Sequence, residues 1–216
     1  MRDRDILGNL RRYREDPWEF FKDCVFTLDP KDWIKPIKSY PAHFEYLKLF
    51  TRIWQKENLI CVPKSRRMFM SWQCVALYTW DTLFYEGRHN AFVSKKELDA
   101  DALLDRAKFI LDHIPPDKLP RECMPKFKKT YTLLEFPETL SKIQGFPSGA
   151  DQLRMHGFSG ILNDEMAFQD NAHEMYASSF PTIENGGRMT AISSPAKGFY
   201  YDLVFDNLDM QGGRNG

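Results

Sequence analysis

The sequence predicts an α/β domain with a mostly parallel central sheet and flanking helices. Three observations point there. Four short apolar runs, Leu59–Val62, Asn90–Ser94, Ser159–Asn163 and Gly187–Ser193, have the length and composition of buried strands. Helical patterns separate these runs, and that alternation is what a parallel sheet needs for its crossovers. The chain has 216 residues, 43% of them hydrophobic and 14% aromatic, enough for a substantial core.

The elements follow in order. Residues 1 to 20 read as a charged amphipathic helix, with Leu7, Leu10 and Tyr13 at helical spacing and a reset at Pro17. Pro30, Pro36 and Pro41 make residues 27 to 42 an irregular approach segment. Helical pattern resumes from His43 to Glu57, with Leu47, Phe50 and Trp54 as its buried stripe. The first strand, Leu59–Val62, is bounded by Pro63. A loop from Pro63 to Ser71 then leads into a helix reaching about Phe84. After the second strand a long helix spans Leu98 to His113, with Ala102, Asp105 and Phe109 marking its turns, until Pro115 and Pro116 stop it. Residues 117 to 130 are basic and loop-like. Tyr131–Phe136 and Thr139–Gly145 pair as a hairpin around Pro137 and Glu138. The third strand ends at Asp164 and Glu165, and Ala172–Ser178 is helical. The fourth strand closes on Ser194 and Pro195. Without repeats or a low-complexity linker, residues 1 to 216 read as one domain with an N-terminal arm.

Composition narrows the function. Lys plus Arg and Asp plus Glu both total 30, so net charge gives no argument for nucleic acid, although a local basic patch survives in a neutral total. No run reaches the roughly 18 apolar residues of a membrane helix. The amino end lacks the apolar core of a signal peptide. Cys24, Cys61, Cys74 and Cys123 lie far apart, which argues against a zinc knuckle and fits a reducing compartment. The five histidines form no H-x-x-x-H pair, and His156 reads as structural.

Three segments carry chemistry. The first is the strand–loop–helix at Pro63–Ser71, where backbone N–H groups and a helix start can surround anionic oxygens. Laid over the pattern G-x-x-x-x-G-K-[ST], it keeps the final hydroxyl as Ser71 but has Phe69 for the glycine and Met70 for the lysine. Its cations are Lys64, Arg66 and Arg67, and a lysine at the loop's start reaches phosphates from the other side. The competing reading is a basic surface turn with Ser71 as a helix N-cap. The second segment, Gly160–Glu165, puts adjacent carboxylates at the end of a buried strand, where open sheets hold their ligands. Asp164 suits a water-bridged Mg2+ and Glu165 suits polarising an attacking water. The alternative is a solvated acidic strand end. The third segment, Thr190–Pro195, ends a strand in small hydroxyl residues that can sense a phosphate, or simply make a Ser-Pro turn.

Taken in order, these segments resemble the ATPase half of the large terminase subunit of tailed bacteriophages. The matching stretches are Val62–Trp72, Ile161–Phe168 and Ala191–Pro195, helped by Arg154-Met155-His156-Gly157, and the likeness spans roughly residues 20 to 205. The resemblance implies an additional-strand P-loop NTPase fold and a Mg2+-dependent ATPase that drives double-stranded DNA into a procapsid. It maps the phosphate-binding lysine onto Lys64, beside Ser65, and the Mg2+-associated hydroxyl onto Ser71. Asp164 takes the metal-associated position and Glu165 the catalytic one. Ser193 and Ser194 fall in the motif coupling hydrolysis to DNA movement. One loop arginine, Arg66 or Arg67, completes the nucleotide site, and the adenine-contacting segment falls near Ile37 to Tyr46. The implied partners are ATP, Mg2+, double-stranded DNA, a small terminase subunit, the portal protein and further copies in a ring, in the host cytoplasm.

The sequence departs from that family at Phe69, where a glycine often stands, and in its length. An RNase H-like nuclease domain and the last part of the ATPase core are expected to be missing. Asp202, Asp206 and Asp209 read as a helix surface and tail rather than a two-metal site. A nucleotide-binding component that does not hydrolyse, and a P-loop ATPase unrelated to packaging, are the competing readings. Lys126, Lys128 and Lys129 read either as DNA-phosphate contacts or as a solvated loop. Of Trp18, Phe20, Phe21, Trp33, Trp54, Trp72 and Trp80, most are expected to be packing residues.

Overall fold

In the computed structural model, which describes residues 3–149, 153 and 156–205, a seven-stranded sheet forms the centre. Its strands are β3 (Leu59–Pro63), β4 (His89–Ser94), β5 (Lys128–Thr130), β6 (Leu133–Phe136), β7 (Ser141–Pro147), β8 (Gly160–Asp164) and β9 (Arg188–Ser193). They lie in the order β3-β9-β8-β4-β7-β6-β5. The first five of that order are parallel, and β6 and β5 are antiparallel. Outside this sheet, β1 (Phe26–Leu28) and β2 (Ile37–Ser39) form a two-stranded antiparallel ribbon.

The helices are α1 (Asp3–Glu15), α2 (Pro17–Cys24), α3 (Glu45–Lys56), α4 (Met70–Phe84), α5 (Glu97–Asp112), α6 (Ala172–Glu184) and α7 (Phe199–Phe205). Successive residues on a strand face opposite ways, and both faces of this sheet are covered. Phe92, Leu162 and Ile192 pack with side chains of the first five helices. Their neighbours Ala91, Val93, Ile161 and Ala191 pack on the other face, against Ala172, Met175 and Tyr176 of α6 and Tyr200 of α7. That double cover is why these strands read as continuous apolar runs.

Several expectations need correction. The first 20 residues are two helices, not one. Asp16 breaks the pattern, its carboxylate accepting from the Trp18 N–H at 2.9 Å, and Pro17 starts the second helix. The approach segment holds the β1–β2 ribbon. Three-residue strands are too short to show a period, and the loop between them is closed by Asp29 and Asp32 accepting from backbone N–H groups. Pro63 belongs to the edge strand β3 instead of ending it. β5 lies within the expected basic loop. On α5 the buried stripe is Ala100, Leu103, Leu104, Ala107, Ile110 and Leu111, with Ala102 and Asp105 turned to solvent. α6 runs on to Glu184, through Pro181.

Candidate functional site

Strand order decides which loops meet. β9 lies between β3 and β8, paired in register so that Pro63 lies opposite Ser193 and Asp164 opposite Ile192. The carboxyl ends of the three strands therefore open side by side. Lys64 follows β3, Asp164 and Glu165 end β8, and Ser193 ends β9. The Lys64 N–H donates to the Ser193 carbonyl at 2.8 Å, which anchors the start of the loop.

Basic loop and acidic strand end meet directly. Lys64 Nζ lies 2.7 Å from Glu165 Oε1. Ser71 Oγ donates to Asp164 Oδ1 at 3.3 Å, and the Glu165 N–H donates to the same oxygen at 3.1 Å. The other Glu165 oxygen accepts from the Ser194 N–H at 3.2 Å and from Ser193 Oγ at 3.4 Å. Ser193 Oγ also accepts from the Ala167 N–H, so this buried hydroxyl ties β9 to the turn after β8. Gln169 braces that turn by donating to Asn163 Oδ1 and the Asp164 carbonyl.

Electrostatics follow from burial. Asp164 is only 8% exposed, and burial pushes its carboxyl above the usual carboxylate range despite Lys64, Ser71 and Arg106 pulling it down. The Lys64 side chain is likewise 8% exposed, so its ammonium needs the Glu165 charge beside it.

The loop is strained. Arg67 and Phe69 have φ of 67° and 62°, in the left-handed region that favours glycine. At Phe69 the backbone takes a left-handed conformation that glycine adopts without strain. Its ring turns toward the core, edge-on to Tyr40 at 5.9 Å and stacked on Trp72 at 6.4 Å. Phe69 is itself the cap of α4, so the expectation of Ser71 as N-cap is overturned: Ser71 lies inside the helix and bonds to Asp164. The first helical N–H groups of α4 have no intrahelical acceptor and carry the positive end of the helix dipole. Tyr46 on α3 holds the loop from outside by donating to the Met68 carbonyl at 3.0 Å.

Two clefts flank this junction. One, of about 560 Å³, lies over the loop between it and the β1–β2 ribbon. Lys64, Ser65, Arg67, Phe69 and Ser71 line it, with Lys38, Ser39, Pro41 and Phe44 on the far wall, inside the segment expected to meet adenine. The other, of about 420 Å³, lies over the acids, lined by Arg66, Asp164, Glu165 and Ser194. The structure thus separates the two loop arginines, Arg66 facing the acids and Arg67 the loop cleft. The volumes fall in the range of small-molecule sites.

The set suits a small hard cation in one respect. A hydroxyl and a carboxylate, both oxygen donors, converge at Ser71 and Asp164, as Mg2+ requires when water and phosphate complete its shell. Among the described residues no group of three or more His, Cys, Asp or Glu gathers to form an all-protein cage.

The search for known relatives finds the same architecture. The large terminase of bacteriophage HK97 superposes over 90% of this chain and 40% of its own, with a TM-score of 0.64 at 10% identity. The chain has the fold of the large terminases. The large terminase of a thermophilic bacteriophage gives a TM-score of 0.51 over 73% of this chain and 39% of its own, at 15% identity. Its complex with ADP gives 0.50 over 74% and 40%, at 16% identity. The chain thus spans about two fifths of those terminases. No family model matches the sequence, and no curated protein matches it.

Some expected residues stand apart from this junction. Lys129 is held by Asp101 and Asp105, each at 2.9 Å, with a side chain 11% exposed, so it is a structural cation and not a free DNA contact. Lys126 and Lys128 are exposed. Trp33 is 87% exposed, the exception to the packing expected of most of the aromatics, because it sits in the loop of the β1–β2 ribbon. The exposed His156 has the rings of Phe146, Phe158 and His89 beside its own at 5.8 to 6.0 Å. Asp202 lies on α7, while Arg154, Met155, Asp206 and Asp209 lie outside the described residues. Arg106, on α5, escaped sequence reasoning, and nothing in its local pattern marks it.

Proposed function

We propose that the chain binds ATP with Mg2+ and hydrolyses it to drive double-stranded DNA into a procapsid, as the ATPase part of a large terminase. The single observation that supports this most is the meeting of Lys64 with Glu165 and of Ser71 with Asp164 at the ends of adjacent strands. Lys64 and the N-terminus of α4 bind phosphate oxygens, with Ser65 and the cleft wall at Lys38–Phe44 toward the base. Ser71 and Asp164 hold Mg2+, which supplies charge neutralisation at the phosphates. A phosphate entering at the loop competes with Glu165 for the Lys64 ammonium. The carboxylate so released accepts a proton from the attacking water. Ser193 and Ser194 touch Glu165 and report its position to β9. Arg66 and Arg67 stand on either side of the bound phosphates. The same reading assigns a ring of copies on the portal, a small terminase partner and action in the host cytoplasm.

The test is ATP turnover by the full chain with double-stranded DNA, beside Glu165→Gln. The expected result is a rate at least about a hundredfold lower in the variant, with nucleotide binding kept. Equal, appreciable rates in both remove Glu165 from the chemistry. Phe69 and Met70 in place of glycine and lysine favour the second reading, binding without hydrolysis. ATP binding by both proteins without turnover in either, even with portal and DNA present, selects it.

A further inference from the structure

The loop cleft and the acidic cleft share one lining residue, Arg106. It lies on α5 and lines both clefts, beside the junction where Lys64 meets Glu165 and Ser71 meets Asp164. Its guanidinium carbon lies 5.6 Å from the centroid of the Trp72 ring. Trp72 is itself wedged, stacked on Phe69 and edge-on to Phe109 at 5.9 Å. The cation is therefore held on an aromatic platform in a fixed place.

Among the described residues, no hydrogen bond or ion pair engages that guanidinium. Arg106 is half-buried, and burial works against its charge while Asp164 attracts it without touching it. None of its nitrogens is sealed from solvent without a partner, so its donors stay open to an anion entering either cleft. By contrast Arg66 and Arg67 are exposed, and among the described residues no hydrogen bond or ion pair fixes either guanidinium.

We propose that Arg106 grips the terminal phosphate of ATP from within the same chain, with Trp72 as its platform. The proposal rests on the nucleotide reading above and adds a phosphate-binding residue to it. The terminal phosphate is the one assigned because Arg106 stands toward the acids, where the attacked phosphorus must lie within reach of a water on Glu165. A planar fork pairs with two phosphate oxygens at once, which lysine cannot reproduce.

The test is calorimetric titration of the full chain with ATP and with ADP, both with Mg2+, for the unaltered protein, Arg106→Ala and Arg106→Lys. Arg106→Ala is expected to weaken ATP by about tenfold or more and ADP by less than about twofold. Arg106→Lys is expected to recover part of the ATP loss. Should Arg106→Ala fail to fold, Trp72→Leu removes the platform and is expected to show the same bias against ATP. Unchanged ATP affinity, or equal losses for ATP and ADP, overturns the assignment while leaving the nucleotide reading in place. An unaltered protein that binds neither nucleotide overturns both.

Discussion

Acidification is expected to destabilise the protein through one histidine. His89 opens β4, its ring 4.6 Å from that of Phe158 and near that of His156. Burial, with a contribution from nearby Lys142, pushes its pKa from 6.5 down to about 4. The folded protein thus keeps His89 neutral where the unfolded chain takes up a proton. Stability from this group is fully present above the unfolded value and is lost as pH falls through 6.5 toward about 4. At full depth that difference is roughly 3 kcal/mol, and about 2 kcal/mol once the ring's partial contact with water is allowed for. Urea unfolding followed by tryptophan fluorescence, from about pH 4 to pH 8, measures it when run beside His89→Gln. The other titrating groups cancel in the difference between the two proteins. Near neutrality the variant is expected to be less stable by about 1 kcal/mol, because it loses ring contacts. The gap should close and then reverse as the pH approaches about 4.5. A gap that stays constant over the whole range refutes the reasoning, because desolvation of the imidazole would then not be its source.

Three further outcomes follow from the geometry. Gly160→Ala places a methyl 2.6 Å from a ring carbon of Tyr78 and 2.7 Å from Asn90 Oδ1. Tyr78 is pinned by its hydrogen bonds to Ile161 and Thr190, so the cost is expected to be about 3 kcal/mol in urea unfolding, and a loss under about 0.5 kcal/mol would contradict it. Phe69→Gly is expected to be more stable than Phe69→Ala by about 1 kcal/mol, because both lose the ring but only alanine keeps the left-handed strain. Thermal melts in the reverse order would show that φ at this position does not cost what the backbone implies. Ser71→Ala is expected to change the stability of the free protein by less than about 1 kcal/mol, since its bond to Asp164 is long. It should weaken Mg2+-dependent ATP binding by about tenfold, and calorimetry with and without Mg2+ that finds no such loss removes Ser71 from the metal site.

The apolar runs at Leu59, Asn90, Ser159 and Gly187 were readable as strands because burial on both faces leaves no polar alternation, a purely local signature. The order of the three chemical segments along the chain was also readable, as was the placement of two carboxylates just past a strand. Local pattern stops there. Short strands such as β1 and β2 lack the length for a period, so the ribbon that walls the loop cleft was hidden. Which strand ends lie side by side depends on sheet order and register, set by pairing between residues more than a hundred apart, such as Leu59 with Met189. Only that pairing brings Lys64 to Glu165 and sends Arg66 and Arg67 to different clefts. It also puts Lys129 against Asp101 and Asp105, and Arg106 on Trp72 where the two clefts adjoin. Element type is thus written in neighbouring residues. The charges that face one another are chosen by long-range packing, where one side chain's position depends on every layer beneath it.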